Sequence, residues 1–409
     1  MKNTFLCVAV LVLSCGFAMG QAQENVLYSF VGGADGVDPF SSGVVFDKLG
    51  NLYGATEYGG TGPCSSNGNP AGCGTVFELS PNSNGTWTET VIHTFLGTPS
   101  GDGAFPFSGV VIDGDGNLYG TTWGGGRNEC GGDQGCGTVF ELSPSAGEWD
   151  ETVIFRFTPG AGGTNPYAGV VLDSTGNLYG ATWQDAYNSH PQIFELKLAH
   201  GQWNYHVLSV SPSDIPANLL IDPEGNLYGM GVDGGYKNNG MIGELMAHSD
   251  GRWKQRLIHA FHGSADGGQP FGGLTFDSNT GYIYGTATGN PGGSDSTVFK
   301  LTPSSGGWLY DKIFTFCCFD EPYGFLSLDD SGDLYGTTTR GGVYQDGDVY
   351  TLTLGSDGQW TETILHSFTL GSDGGRPYAG VIRDSSGNLY GTTVNGGAYG
   401  FGTVFEITP

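Results

Sequence analysis

The sequence predicts an all-β ring of seven four-stranded blades, a seven-bladed β-propeller. Three observations carry that prediction. First, the octapeptide D-x-x-G-N-L-Y-G recurs as Asp47–Gly54, Asp113–Gly120, Asp173–Gly180, Asp222–Gly229, Asp277–Gly285, Asp329–Gly336 and Asp384–Gly391, with one extra residue in the fifth copy. The terminal glycines are 66, 60, 49, 56, 51 and 55 residues apart, and such self-similarity marks a repeat architecture. Second, each unit reads as four short strands, with no sustained helical period. Third, the segment Asn25–Phe30 looks like a fourth strand with no unit before it, and the last unit stops at Phe405–Pro409 after its third. The early strand would complete the last blade and remove a free sheet edge. A linear solenoid would instead need distinct caps.

The elements follow in order within each unit. A Pro-aromatic pair precedes the first strand, as in Pro106-Phe107 before Val110-Val111-Ile112, which is apolar on both faces. D-x-x-G-N is a tight turn, in which Asp caps its own backbone and Gly takes a positive φ. Leu118–Thr122 is the second strand, and a glycine-rich loop leads to the third, Gly137–Leu142. A Ser-Pro and Gly turn leads to the fourth, Trp149–Phe157, with alternating β-branched and aromatic residues. Blades 3 to 6 depart from this pattern: Gln192 replaces a Thr, Gly243 replaces a Phe, and blade 4 begins Pro216-Ala217 without the aromatic.

Composition limits the function. Glycine supplies 75 of 409 residues, about 18% against a usual ~7%, but with no three-residue period, so this is not collagen. An apolar content of 38% is enough for a core and argues against a disordered chain. The net charge of −27 argues against a phosphate backbone as partner, so no nucleic acid is expected. Lys2, the apolar run Thr4–Ser14 and the small residues Ala18 and Gly20 predict a signal peptide over 1–20, with cleavage before Gln21 or, as a second choice, after Ala22. The apolar run is too short to span a bilayer, and no other run is long enough. A secreted, periplasmic or extracellular protein is expected, with residues 21–409 as one propeller domain. Lipidation at Cys15 is the rival reading, on a poor lipobox.

The units resemble the GloVer tandem repeat of exported bacterial proteins. The pattern is carried by Tyr119-Gly120-Thr121-Thr122, Gly124-Gly125 and Gly137-Thr138-Val139-Phe140. It returns in the last blade as Tyr390–Thr393, Gly396-Gly397 and Gly402–Phe405. The resemblance covers essentially the whole chain after the signal segment and implies an exported bacterial protein. It brings no catalytic residues to carry over. The D-x-x-G-N-L-Y segment is also similar, more weakly, to the turn of NHL-type propellers, and kinship of fold does not assign function.

Loops between second and third strands, and between blades, vary in length and should share one face, where binding usually resides. Six of eight tryptophans begin fourth strands and read as packing residues: Trp87, Trp149, Trp203, Trp253, Trp308 and Trp360. Trp123 and Trp183 instead open the variable loops of blades 2 and 3, with Tyr58 nearby in blade 1. They read either as a stacking platform or as packing over loop glycines. Asp35, Asp102, Asp266 and Asp373 lie in inter-blade loops, with Asp38, Asp320 and Glu321 close by. They read as rim carboxylates for a ligand, for Ca²⁺ or for acid–base work, or else as Asp-Gly turn residues. His93, His259 and His366 share one fourth-strand place and read as structural; without H-x-H or H-E-x-x-H spacing, no metal site is expected. Cys64 pairs with Cys73, and Cys130 with Cys136, each closing its own variable loop. Cys317 and Cys318 are adjacent, with either thiols or a strained vicinal disulfide open.

These features point to an exported binding or scaffold protein that recognises a carbohydrate or cell-surface protein, with no cofactor, catalytic residue or metal assigned. The alternative is a carbohydrate-active enzyme of the polysaccharide lyase, glycosidase or lactonase type, with acids at the channel mouth and Arg376 or His262 assisting. A purely structural envelope component is the third reading.

Overall fold

The computed structural model describes residues 22–40, 43–65, 72–98, 100–130, 135–159, 163–183, 191–210, 219–263, 266–289, 296–316 and 320–409. The expected signal segment, Cys15, His190, Pro216-Ala217 and the Cys317-Cys318 pair lie outside the described residues.

Seven four-stranded antiparallel sheets form the ring. Blade 2 is typical, with strands Val110–Ile112, Leu118–Thr122, Thr138–Ser145 and Glu148–Arg156. The last sheet runs Ile382–Arg383, Leu389–Thr393, Thr403–Thr408 and then Gln23–Ser29, so the N-terminal strand completes it as expected. Its register carries a second proof. In every other blade the third and fourth strands slip by one residue at the same place, as between Val139 and Phe140. Gln23–Ser29 makes the same bulge at Leu27 against Phe405 and Val404. A bulge raises local twist, and a ring of like blades needs the same twist in each.

Aromatic wedges build each blade's core. Phe140 lies over Gly120, where an added Cβ would come within 2.5 Å of its ring. Phe77, Phe194, Phe299 and Phe405 lie in the same way over Gly54, Gly180, Gly285 and Gly391, and Tyr350 over Gly336. This close approach is why the second strand reads Tyr-Gly. Blade 4 has Gly243 in the wedge position, and a cavity of about 30 Å³ remains beside Leu227, Gly229 and Leu245, about the room one water needs.

The D-x-x-G-N turn behaves as expected. Asp113 Oδ1 accepts the backbone N–H groups of Asp115 and Asn117, both at 2.9 Å, while Gly116 sits at φ 93°. Tyr119 then donates to Asp113 Oδ2 at 3.2 Å and to Glu141 at 3.1 Å. The same bridge recurs at Tyr179, Tyr228 and Tyr390, which gives Glu195, Glu244 and Glu406 a structural role. The fourth-strand tryptophans lock neighbours together, as with Trp149 against Tyr53 at 5.7 Å and Trp308 against Tyr228 at 5.6 Å.

Candidate functional site

The inter-blade loops and the second-to-third-strand loops meet on one face. Val37 bridges Tyr58, Thr164 bridges Trp183, and Gly375 bridges Asn395. Among the described residues, two positions of the repeat form the inner rim of this face: the residue before the proline, and the first residue after the second strand. Their backbones pair, with Glu57 donating to Asp38 at 3.0 Å, Trp123 to Phe105 at 3.0 Å and Thr339 to Glu321 at 2.8 Å. Asp38, Phe105, Asn165, Gln269 and Arg376 all stand at positive φ, between 46° and 58°. Non-glycine residues rarely adopt this conformation, and its recurrence on one rim is a built feature.

The following aromatic residue enters the channel mouth just before the short first strand. Six such rings run blade to blade in an arc: Phe271, Tyr323, Tyr378, Phe40, Phe107 and Tyr167. Their successive centroids are 5.2, 5.4, 4.7, 5.9 and 4.8 Å apart. Each ring is half-buried. Trp123 meets Phe107 at 6.1 Å and Trp183 meets Tyr167 at 5.1 Å, so both tryptophans extend the arc outward. Tyr58 packs on Phe105 at 5.7 Å and hydrogen-bonds Glu57.

Glu57 stands where blades 2 and 3 carry Trp123 and Trp183. It is 5% exposed. Burial raises its carboxyl to about 7, opposed by the Tyr58 hydrogen bond and reinforced by Asp38. Burial likewise raises Asp38 to about 6. Burial, then the Glu57 charge, raises Tyr167. Two acids poised near neutrality therefore sit beside the aromatic arc.

The four loop aspartates do not join this group. Each accepts a backbone N–H of its own loop: Asp35 from Val31 at 2.7 Å, Asp102 from Leu96 at 2.8 Å, Asp266 from His262 at 2.7 Å, and Asp373 from Thr369 at 2.9 Å. Each also faces the fourth-strand residue before it: Tyr28 at 3.0 Å, His93 at 3.5 Å, His259 at 2.8 Å and His366 at 3.4 Å. The aspartates are distributed one to a seam, as turn residues.

The next blade adds a fourth-strand glutamate to several seams. Burial raises Glu24 and Glu89 to about 7, with Asp373 and Asp35 adding to the shift. Burial raises Glu362 to about 7 and Glu151 to about 6, with Asp320 and Asp102 next. Buried oxygens of Glu24, Glu89 and Glu151 lack a hydrogen-bond partner. A carboxyl whose folded pKa exceeds its unfolded value stabilises the fold below that unfolded value, here 4.5, and the contribution is lost as pH rises through 6 to 7. The half-buried His259 and His366, both lowered by burial, act in the opposite sense below 6.5 but are outnumbered. Calorimetry is therefore expected to give a higher Tm near about pH 5 than about pH 8, and Glu89→Gln with Glu362→Gln should shrink the difference. A higher Tm at the alkaline end would contradict this balance.

Both expected disulfides are present, Cys64–Cys73 and Cys130–Cys136, each with a Cα separation near 5 Å (5.0 and 5.1 Å). They staple loops beside Tyr58 and Trp123. Replacing both pairs by Ser should cost about 2.5 kcal/mol per loop by the chain-entropy relation. A denaturant midpoint unchanged by reductant would refute that.

Three features escaped the sequence reading. The Pro-aromatic pair was visible in nearly every unit, and its place before the innermost strand was the signal for a channel collar. Glu57 was visible only on aligning it with Trp123 and Trp183. The spacing H-x-x-H-x-x-x-D at His259, His262 and Asp266 is neither H-x-H nor H-E-x-x-H.

Among the described residues no helix is long and apolar enough to cross a membrane. No curated protein matches the chain. Among solved structures, a provisionally named 6-phosphogluconolactonase from Bacteroides uniformis is 13% identical with a TM-score of 0.52, covering 78% of this chain and 83% of that one. A protein from Lactobacillus plantarum is 12% identical with a TM-score of 0.52, covering 83% and 92% respectively. Likeness at such identity supports the fold alone. The Gloeobacter/Verrucomicrobia repeat model matches residues 128–324 and 321–409, more than half of the sequence. The chain belongs to the Gloeobacter/Verrucomicrobia repeat family, built here as a seven-bladed β-propeller.

Proposed function

We propose that the chain is an exported binding propeller that holds a carbohydrate at the mouth of its channel. The observation that carries this reading is the arc from Phe271 to Tyr167, with Trp123 and Trp183 outside it. Half-buried aromatic rings present apolar faces to the C–H faces of sugars at little entropic cost. Asp38, Gln269 and Arg376 on the rim supply polar groups for hydroxyls. The charge of −27 favours neutral glycans over anionic ones. The two loop disulfides suit an oxidising compartment outside the cytoplasm.

One observation favours a second reading, a carbohydrate-active enzyme. Glu57 and Asp38 are raised toward neutrality, as a general acid and its partner would be. A glycan-array screen of the chain from Gln21 separates the readings. A stable, defined neutral-glycan signal supports binding. A signal that decays with time, and persists in Glu57→Gln, supports turnover. Silence across neutral glycans would reject the carbohydrate and leave a cell-surface protein as the ligand class.

A further inference from the structure

We propose that His259, His262 and Asp266, at the seam between blades 4 and 5, bind a divalent transition-metal ion of the Zn²⁺ class. His259 Nε2 and His262 Nδ1 both face Asp266 Oδ2, at 2.8 and 3.3 Å. All three ligand atoms lie within 4.8 Å of one another. Two imidazole nitrogens and one carboxylate oxygen are a donor set that Zn²⁺ accepts, at about 2.0–2.2 Å from each atom. Ligands around one such ion stand roughly 3–3.5 Å apart. His262 Nδ1 and Asp266 Oδ2 already have that spacing, His259 Nε2 and Asp266 Oδ2 need to part by a few tenths of an ångström, and the His262 side chain is 52% exposed and free to adjust.

The surroundings hold the ligands in place. His259 stacks on Tyr310 of blade 5 at 3.8 Å, with the rings 6° from parallel. Tyr310 donates its hydroxyl to the Asp266 backbone carbonyl at 2.7 Å. His262 lies against Tyr236 at 4.6 Å. The His262 backbone N–H takes Asp266 Oδ1, which leaves Oδ2 for the ion. Such outer contacts fix ring orientation and raise metal affinity. Three protein ligands leave a fourth position open to solvent at the exposed His262 side.

The repeat supplies its own controls. His366 and Asp373 keep the pair at 3.4 Å, but Thr369 stands where this seam has His262. His93, Asp102 and Glu151 also converge. There Asp102 already accepts two backbone N–H groups, from Leu96 and Gly103, and its contact with His93 is 3.5 Å. The second histidine makes the blade 4–5 seam different.

The test is calorimetric titration of Zn²⁺ into the EDTA-stripped, dialysed chain. It is repeated with Co²⁺, whose visible absorption intensity reports four-coordinate geometry. One Zn²⁺ per chain is expected. His262→Thr, which copies the blade 6–7 seam, should weaken it by at least the roughly 10–100-fold that loss of an outer-shell partner costs. His259→Phe copies Phe155 and Phe314 of blades 2 and 5 and should do the same. The Tm of both variants in EDTA should match that of the parent, which separates lost binding from lost folding. No Zn²⁺ binding by the parent would overturn the proposal. So would equal affinity in His262→Thr, which would move the ion to the His93 cluster or elsewhere.

Discussion

A chain starting at Val31, without the strand Gln23–Ser29, is expected to lose the cooperative melting of the closed ring and to aggregate. That strand pairs along the length of Thr403–Thr408 and is followed by Phe30, which is 0% exposed. Leu27, at the bulge, is 8% exposed. Burying two such side chains stabilises by about 1.5–3 kcal/mol each. Backbone pairing and the Phe30–Phe77 contact at 5.2 Å add to that. The loss approaches the ~5–15 kcal/mol that holds an ordinary domain folded. It also leaves Thr403–Thr408 as an exposed edge, a template for pairing between chains. Thermal melting with light scattering reads the effect, and a peptide spanning residues 22–30 added in excess should partly restore the parent melt. A truncated chain that melts like the parent and stays monomeric would show that the ring does not depend on this closure.

The second large effect falls on binding. Trp123→Ala with Trp183→Ala is expected to weaken a neutral glycan by roughly 100- to 1000-fold, at about 2 kcal/mol for each central aromatic. Both side chains are half-buried at loop starts and Trp123 also packs on the core between blades 1 and 2, so some loss of Tm is expected and affinity is measured well below the melting range. Leu49→Ala is the control. Leu49 is 84% exposed in the turn between first and second strands, on the opposite face, and should leave affinity unchanged. Equal binding by the double variant and the parent would remove both tryptophans from the site.

Much of the fold was legible because the physical constraints are local and repeated. Asp113, Gly116 and Tyr119 serve the same turn, the seven copies repeat those residue types, and six of the tyrosines bond their Asp. The ring closure was legible from one strand too many at the start and one too few at the end. The loop cysteines were legible because each pair lies in one short loop. The bulge at Leu27 was not, since it reflects the twist between the outer two strands of a blade and no residue type marks it. Of the two readings open for the loop aspartates, their hydrogen bonds fit the turn reading, and what surrounds them was not legible for a related reason. Their partners, such as His93 for Asp102, come from the preceding strand, and the glutamate completing the seam comes from the next blade. The mouth was half legible. Trp123 and Trp183 stood out because they broke the tryptophan pattern. Phe40, Phe107 and Tyr167 followed a pattern of their own, so they read as markers of a strand start. Glu57 was hidden because its burial depends on loops that sequence does not position.

The measurement that bears most directly on the account is a crystal structure of the chain with its strongest neutral glycan. Sugar rings are expected at the channel mouth, packed against Tyr167, Phe107, Trp123 and Trp183. Hydroxyls should lie within hydrogen-bond reach of Asp38 or Glu57. A glycan seated on the face of the D-x-x-G-N turns, or along the outer fourth strands with the aromatic arc untouched, would contradict it.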